Sequence, residues 1–121
     1  MISGIVTNRR ATVTLPFRLP NGAIIRIEFV IDTGFTGYLA IPPEAVALMN
    51  LPFRLDVPAN LADNSEVLLP IHRGTIIWDG EERDVLVVAT GQRPLLGTAL
   101  LDEQELVIQF TEGELVTIDE L

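Results

Sequence analysis

The stretch that decides the reading is Phe29-Val30-Ile31-Asp32-Thr33-Gly34-Phe35-Thr36-Gly37. An apolar run delivers a carboxylate into a tight, glycine-rich turn. Strands are depleted in Asp and Gly, and a carboxylate carried into apolar surroundings is costly unless it is paired. Such a placement points to a site. The triplet Asp32-Thr33-Gly34 occurs once in the chain.

Working outward, Ala11, Val13, Leu15, Phe17 and Leu19 alternate with polar residues or proline, and Ala23, Ile25, Ile27, Phe29 and Ile31 alternate again. This is the period of two that marks half-buried strands. Pro20-Asn21-Gly22 between the runs is a turn signal. The pair reads as a hairpin whose second strand carries Asp32 at its end. Pro16 places the first strand at an edge or on a bulge. Pro42-Pro43-Glu44 opens a short helix to about Met49, stopped by Asn50 and Pro52.

Further on, Leu55–Leu61 and Glu66–His72 read as a hairpin with Asp63-Asn64 at its tip. Thr75–Trp78 and Asp84–Ala89 flank the turn Asp79-Gly80. Leu95-Leu96-Gly97 precedes a helical stretch from Thr98 to about Gln104. Leu106–Phe110 and Leu115–Ile118 flank Glu112-Gly113. Many short strands with frequent turns predict an all-β fold, a sandwich or barrel. With 121 residues and no linker or repeat, the expectation is a single domain over 1–121.

Composition narrows the function classes. The net charge is -9, and all eight cations are arginine. An acidic surface repels phosphate backbones, which argues against nucleic acid as partner. No apolar stretch reaches membrane-spanning length, and no signal peptide is legible. Cysteine is absent, which excludes thiol catalysis and suits a reducing, cytoplasmic setting. His72, the single histidine, has no second His or Cys with which to build a triad or zinc site, and reads as a surface or interface residue. Asp79, Glu81, Glu82 and Asp84 lack a calcium-loop spacing and read as a solvated face. Seven acids lie between Asp102 and Leu121 with no Arg among them. They read as a solvated region or, more sharply, as a sign of an enzyme suited to acidic pH.

With these residues in place, Val30-Ile31-Asp32-Thr33-Gly34-Phe35-Thr36-Gly37 and the later Leu95-Leu96-Gly97-Thr98-Ala99-Leu100-Leu101 resemble the retropepsin-type aspartic proteases, the single-domain kind found in bacteria and retroviruses. The resemblance runs from about Ala11 to Phe110, and it narrows the fold to a closed or nearly closed β-barrel with one or two short helices. It implies peptide-bond hydrolysis by a water held between two carboxylates, one acting as base and the other, protonated, as acid. Two close carboxylates cannot both ionise cheaply, so they share a proton. One chain supplies one Asp32, so the resemblance implies a homodimer in which a twofold axis sets Asp32 against its mate. It implies no metal and no other cofactor.

The neighbours take their roles from the same resemblance. Thr33 would hydrogen-bond across the axis, and Gly34 would let the backbone approach a peptide or protein substrate. Leu96 and Gly97 would pack beneath the loop. Ala62-Asp63-Asn64-Ser65 would be the tip of a flap closing over substrate, and an extended peptide would bind as an added strand. The chain also departs from the retroviral pattern. Its flap tip has no Gly. Thr36 and Thr98 stand where an acidic residue and an Arg usually pair. A further strand, Leu115–Ile118, either enlarges the terminal dimer sheet or blocks it. The rival reading is a catalytically silent module of the same fold that binds peptides or dimerises.

Overall fold

The computed structural model describes residues 1–121. The elements are β1 (Ile2–Thr7), β2 (Arg10–Arg18), β3 (Ile24–Ile31), β4 (Leu39–Ile41), α1 (Pro43–Met49), β5 (Phe53–Asn60), β6 (Glu66–Trp78), β7 (Glu81–Ala89), β8 (Leu95–Leu96), α2 (Thr98–Leu101), β9 (Gln104–Ile108) and β10 (Leu115–Glu120). All strands join one sheet in the order β5-β6-β7-β4-β8-β3-β2-β1-β10-β9, and β6 pairs again with β2. That second pairing closes β2, β3, β8, β4, β7 and β6 into a ring. The hairpin partner β5 projects from the ring on one side, and the tab β1-β10-β9 projects on the other. No helix is long and apolar enough to cross a membrane.

The hairpin β2–β3 forms as its alternation predicts. Leu15 pairs with Ile27 and Phe17 with Ile25. Val13, Leu15, Phe17 and Phe29 are buried while Arg26 and Glu28 lie on the half-exposed to exposed side. Asn21 Oδ1 accepts from the Ala23 N–H at 2.9 Å, and Gly22 takes the positive φ of +90° that the turn requires. Pro16 lies inside a strand with partners on both sides. On the second side β2 pairs with β1 over Arg10–Val13 and with β6 at Phe17–Arg18. Pro16 falls in the gap between those partners, where a missing N–H interrupts no ladder.

Helix α1 begins with proline at its first position, has Glu44 in its first turn, and ends at Asn50 in the left-handed conformation.

Three expectations change. Glu66–His72 and Thr75–Trp78 are one continuous strand, β6. Gly74 between them is not a break. It is buried, and a side chain there would collide with the Phe17 ring. Glycine at this point lets β2 and β6 approach and close the ring. The later helix stops at Leu101, because Asp102 is extended and Glu103 has a φ of +63°. His72 lies within β6, half-buried, with Nδ1 3.0 Å from the Leu51 carbonyl and its ring edge-on to Phe53.

Three strands were not legible in the sequence, β1, β4 and the two-residue β8. β1 carries Gly4 where a side chain would strike the Thr12 carbonyl, so its pattern lacks a regular alternation. β4 is a buried segment of three residues, too short to show a period. The core runs through ring and tab alike, joining Phe17, Phe29, Leu39, Ile76, Val87 and Leu96 to Val6, Val116 and Ile118.

Candidate active site

Asp32 stands at the end of β3, half-buried, with Thr33 and Gly34 exposed beyond it. Two parallel pairings hold this end of the strand, Val30 with Leu95 and Ile31 with Leu96. The Asp32 N–H donates to the Leu96 carbonyl at 3.0 Å. Asp32 Oδ1 accepts from the Gly34 N–H at 2.9 Å, and the Phe35 N–H donates to the Asp32 carbonyl at 3.1 Å. The carboxylate is thus aimed by its own turn. A side chain on Gly34 would meet Oδ1 at 3.2 Å, tighter than an ordinary contact.

The stretch after Leu96 locks the loop from behind. Gly97 N–H donates to the Tyr38 carbonyl at 2.9 Å, Thr98 N–H to Phe35 at 2.8 Å and Ala99 N–H to Gly37 at 3.2 Å. Leu96 is fully buried. Gly97 is buried as well, and a methyl there would collide with the carbonyl oxygens of Gly37 and Phe35. The Phe35 ring sits against both Gly37 and Gly97, 2.6 and 2.7 Å from the points where their side chains would begin. Thr36 and Thr98 form no ion pair. Thr98 serves through its backbone, while Thr36 is exposed in the lining of the groove described next.

An apolar groove of about 550 Å³ adjoins this loop. Its lining includes Phe35 and Tyr38 from the loop, Val57 and Leu69 from the hairpin β5–β6, and Val88 from β7. Asp32 itself, Leu96 and Gly97 lie outside the lining, as do the tip residues Ala62, Asp63, Asn64 and Ser65. The strands of the hairpin, not its tip, shape the groove. The tip is exposed and closes on itself. Leu61 N–H donates to the Ser65 carbonyl at 2.8 Å, and Asp63 Oδ1 accepts from the Ser65 N–H at 2.9 Å and from its hydroxyl at 2.6 Å. Those two donors, the hydroxyl first, hold the Asp63 carboxyl below its ordinary pKa.

Sequence reasoning placed Asp32, its glycine and the supporting Leu96-Gly97. It missed the groove residues Phe35, Tyr38 and Ala99. The repeat of Thr-Gly at Thr36-Gly37 was the available signal, since a second glycine so close to the first marks another close backbone approach.

No protein-family model matches the chain, and no curated protein matches its sequence. Its structure is similar to the crystal structure of a retropepsin-like aspartic protease from Rickettsia conorii. The TM-score is 0.61 and the identity 16%, over 98% of this chain and 89% of that one. At that identity the likeness is one of fold: the chain has a retropepsin-like fold.

Proposed function

We propose that the chain is an aspartic endopeptidase whose catalytic pair is Asp32 of one copy and Asp32 of a second. The observation that carries this reading is the mounting of Asp32. A carboxylate rarely ends an apolar strand, and here its loop is fastened to Leu96, Gly97, Thr98 and Ala99 through four backbone hydrogen bonds beside an apolar groove. Rigid mounting is what a preorganised acid–base pair requires.

The chemistry follows from the pairing. Two carboxylates on a twofold axis share one proton at working pH. The ionised member takes a proton from a water between them as that water attacks the scissile carbonyl. The protonated member donates to the carbonyl oxygen, and collapse of the tetrahedral species passes a proton to the departing amine. The apolar groove favours an apolar side chain next to the scissile bond, and the hairpin β5–β6 offers backbone groups to an extended peptide. No metal or other cofactor enters these steps.

The test is cleavage of a diverse peptide library, read by mass spectrometry at acidic and neutral pH over a range of protein concentrations. The account expects cleavage whose specific rate rises with concentration, and loss of at least about a thousandfold in Asp32→Asn with the fold unchanged. Undiminished cleavage by Asp32→Asn would sink the mechanism. No cleavage at any concentration, with peptides still bound, would favour the silent binding module.

A further inference from the structure

Arg54 stands apart from the other charged residues near the apolar groove. Strand β5 pairs Val57 with Leu69 and Leu55 with Ile71, but Phe53 with His72, so β5 holds one residue more than β6 at this point. That residue is Arg54, and the irregularity is a β-bulge, a device that re-aims a side chain. Val57 and Ala59 line the groove. In an uninterrupted strand Arg54 would face away from them, on the side of Asp56. With the bulge, Arg54 instead lines a cavity of about 180 Å³ with Arg73, Asp84, Tyr38 and Leu86. Tyr38 and Leu86 also line the groove.

The cavity and the groove therefore adjoin along one sheet face. On β6 that face runs from Leu69 and Ile71 to Arg73, and on β7 from Val88 and Leu86 to Asp84. The step from apolar to charged spans two residues on each strand, about 7 Å. An extended peptide repeats at the same distance. A side chain anchored in the groove thus brings the side chain two residues away to the charged cavity.

The charges there are unevenly met. Asp84 Oδ2 accepts from Arg73 Nη2 at 2.9 Å, and its Oδ1 accepts from the Thr75 hydroxyl at 2.8 Å. Arg73 and Asp84 offset each other. The Arg83 guanidinium lies 6.0 Å from the centroid of the Tyr38 ring and lines a different cavity, together with Glu81 and Glu82. Its charge already faces acids. Arg54 is exposed and belongs to none of the chain's ion pairs. In a chain of net charge -9, it is an uncompensated cation at the end of an apolar groove.

We infer that Arg54 selects an acidic side chain in the bound peptide, two residues from the apolar side chain that fills the groove. The inference rests on the proposed function for its occupant, an extended peptide, and adds the charge that such a peptide carries. Charge complementarity makes the choice. A carboxylate in the cavity pairs with Arg54 and leaves the Arg73–Asp84 pair intact, whereas a lysine would meet two guanidinium groups. The planar guanidinium also matches a carboxylate through two parallel N–H···O bonds.

The test uses matched peptides with leucine as the single large apolar residue and Glu, Gln or Lys two residues to either side of it. Cleavage by the full-length parent gives kcat/KM, and fluorescence anisotropy gives the affinity of full-length Asp32→Asn for the same labelled peptides. A preference of about fivefold for Glu over Gln is expected in both, shrinking as salt is added. Arg54→Gln abolishes that preference and Arg54→Lys keeps part of it. Arg54→Glu turns it toward Lys, a reversal that loss of structure does not produce. Asp32-dependent cleavage with no preference for Glu, or with a preference that survives Arg54→Gln, would overturn the inference and leave the catalytic reading standing. An Arg54-dependent preference in binding by a protein that never cleaves would support the inference and refute the catalysis. Binding and cleavage of none of these peptides would overturn both.

Discussion

Asp32 and Asp63 make the same local hydrogen bond in different surroundings. Each turns Oδ1 back to the N–H two residues ahead, at 2.9 Å in both cases. Asp32 is half-buried, and its turn is held from outside by Leu96, Gly97, Thr98 and Ala99. The Asp63 turn is exposed at a hairpin tip and is bonded only to itself, through Leu61 and Ser65. The same short-range chemistry therefore yields a fixed platform in one place and a self-contained, solvent-facing turn in the other. What separates them is long-range backbone pairing. A turn whose bonds are all local opens at little cost to the rest of the fold, whereas a turn fastened to a second element opens only with that element. On the proposed function, a platform suits a carboxylate that pairs with its mate, and a locally closed tip suits a hairpin that admits a peptide.

Gly97→Ala should break the comparison most severely. Gly97 has a φ of -99°, which any residue adopts, so the effect is purely steric. The new methyl meets the Gly37 and Phe35 carbonyls that hold the Asp32 loop. A loss of about 2–4 kcal/mol is expected on chemical denaturation, with proteolysis falling further than stability alone explains. A variant of unchanged stability would show that the loop does not depend on this contact.

Ser65→Ala tests the other side. It removes one of two donors to Asp63 and touches nothing else. The melting temperature should stay within about 2 °C of the parent, while kcat/KM changes several-fold in either direction as the tip loosens. Indifference of both would show that the tip takes no part in turnover.

The smallest effect is a pH dependence confined to the tip. Ser65 holds the Asp63 pKa below its ordinary value. For a depressed carboxylate, the stabilisation is present above the unfolded-state pKa and is lost as pH falls through the lower, folded-state value. Hydrogen-exchange protection of the Ser65 amide, corrected for intrinsic rates, should therefore fall on acidification across that window. Protection that instead rises at low pH would contradict the assignment of its acceptor.

What was legible in the sequence divides along the same line. The hairpin to Asp32, helix α1 and the Asp79-Gly80 turn are written in local periods and turn residues. Both Asp79 and Gly80 have positive φ as that turn demands. The Asp-Thr-Gly triplet, with the later Leu-Leu-Gly, marked the platform through resemblance. The ring closure was not legible, because Gly74 looks like a strand breaker until Phe17 is known to lie against it. Nor was the turn at Asn8-Arg9, where two non-glycine residues take positive φ. The groove escaped for the same reason: Phe35, Val57, Leu69 and Val88 come together only through pairings between distant strands.

The central claim is that one Asp32 from each of two copies makes one catalytic pair. It is tested most directly by mixing parent protein with Asp32→Asn in varying ratio at fixed total concentration, under conditions where subunits exchange, and measuring peptide cleavage. If both carboxylates are needed, only parent pairs are active, and activity falls as the square of the parent fraction. A linear fall would mean that each chain works with its own Asp32 alone, and would contradict the account.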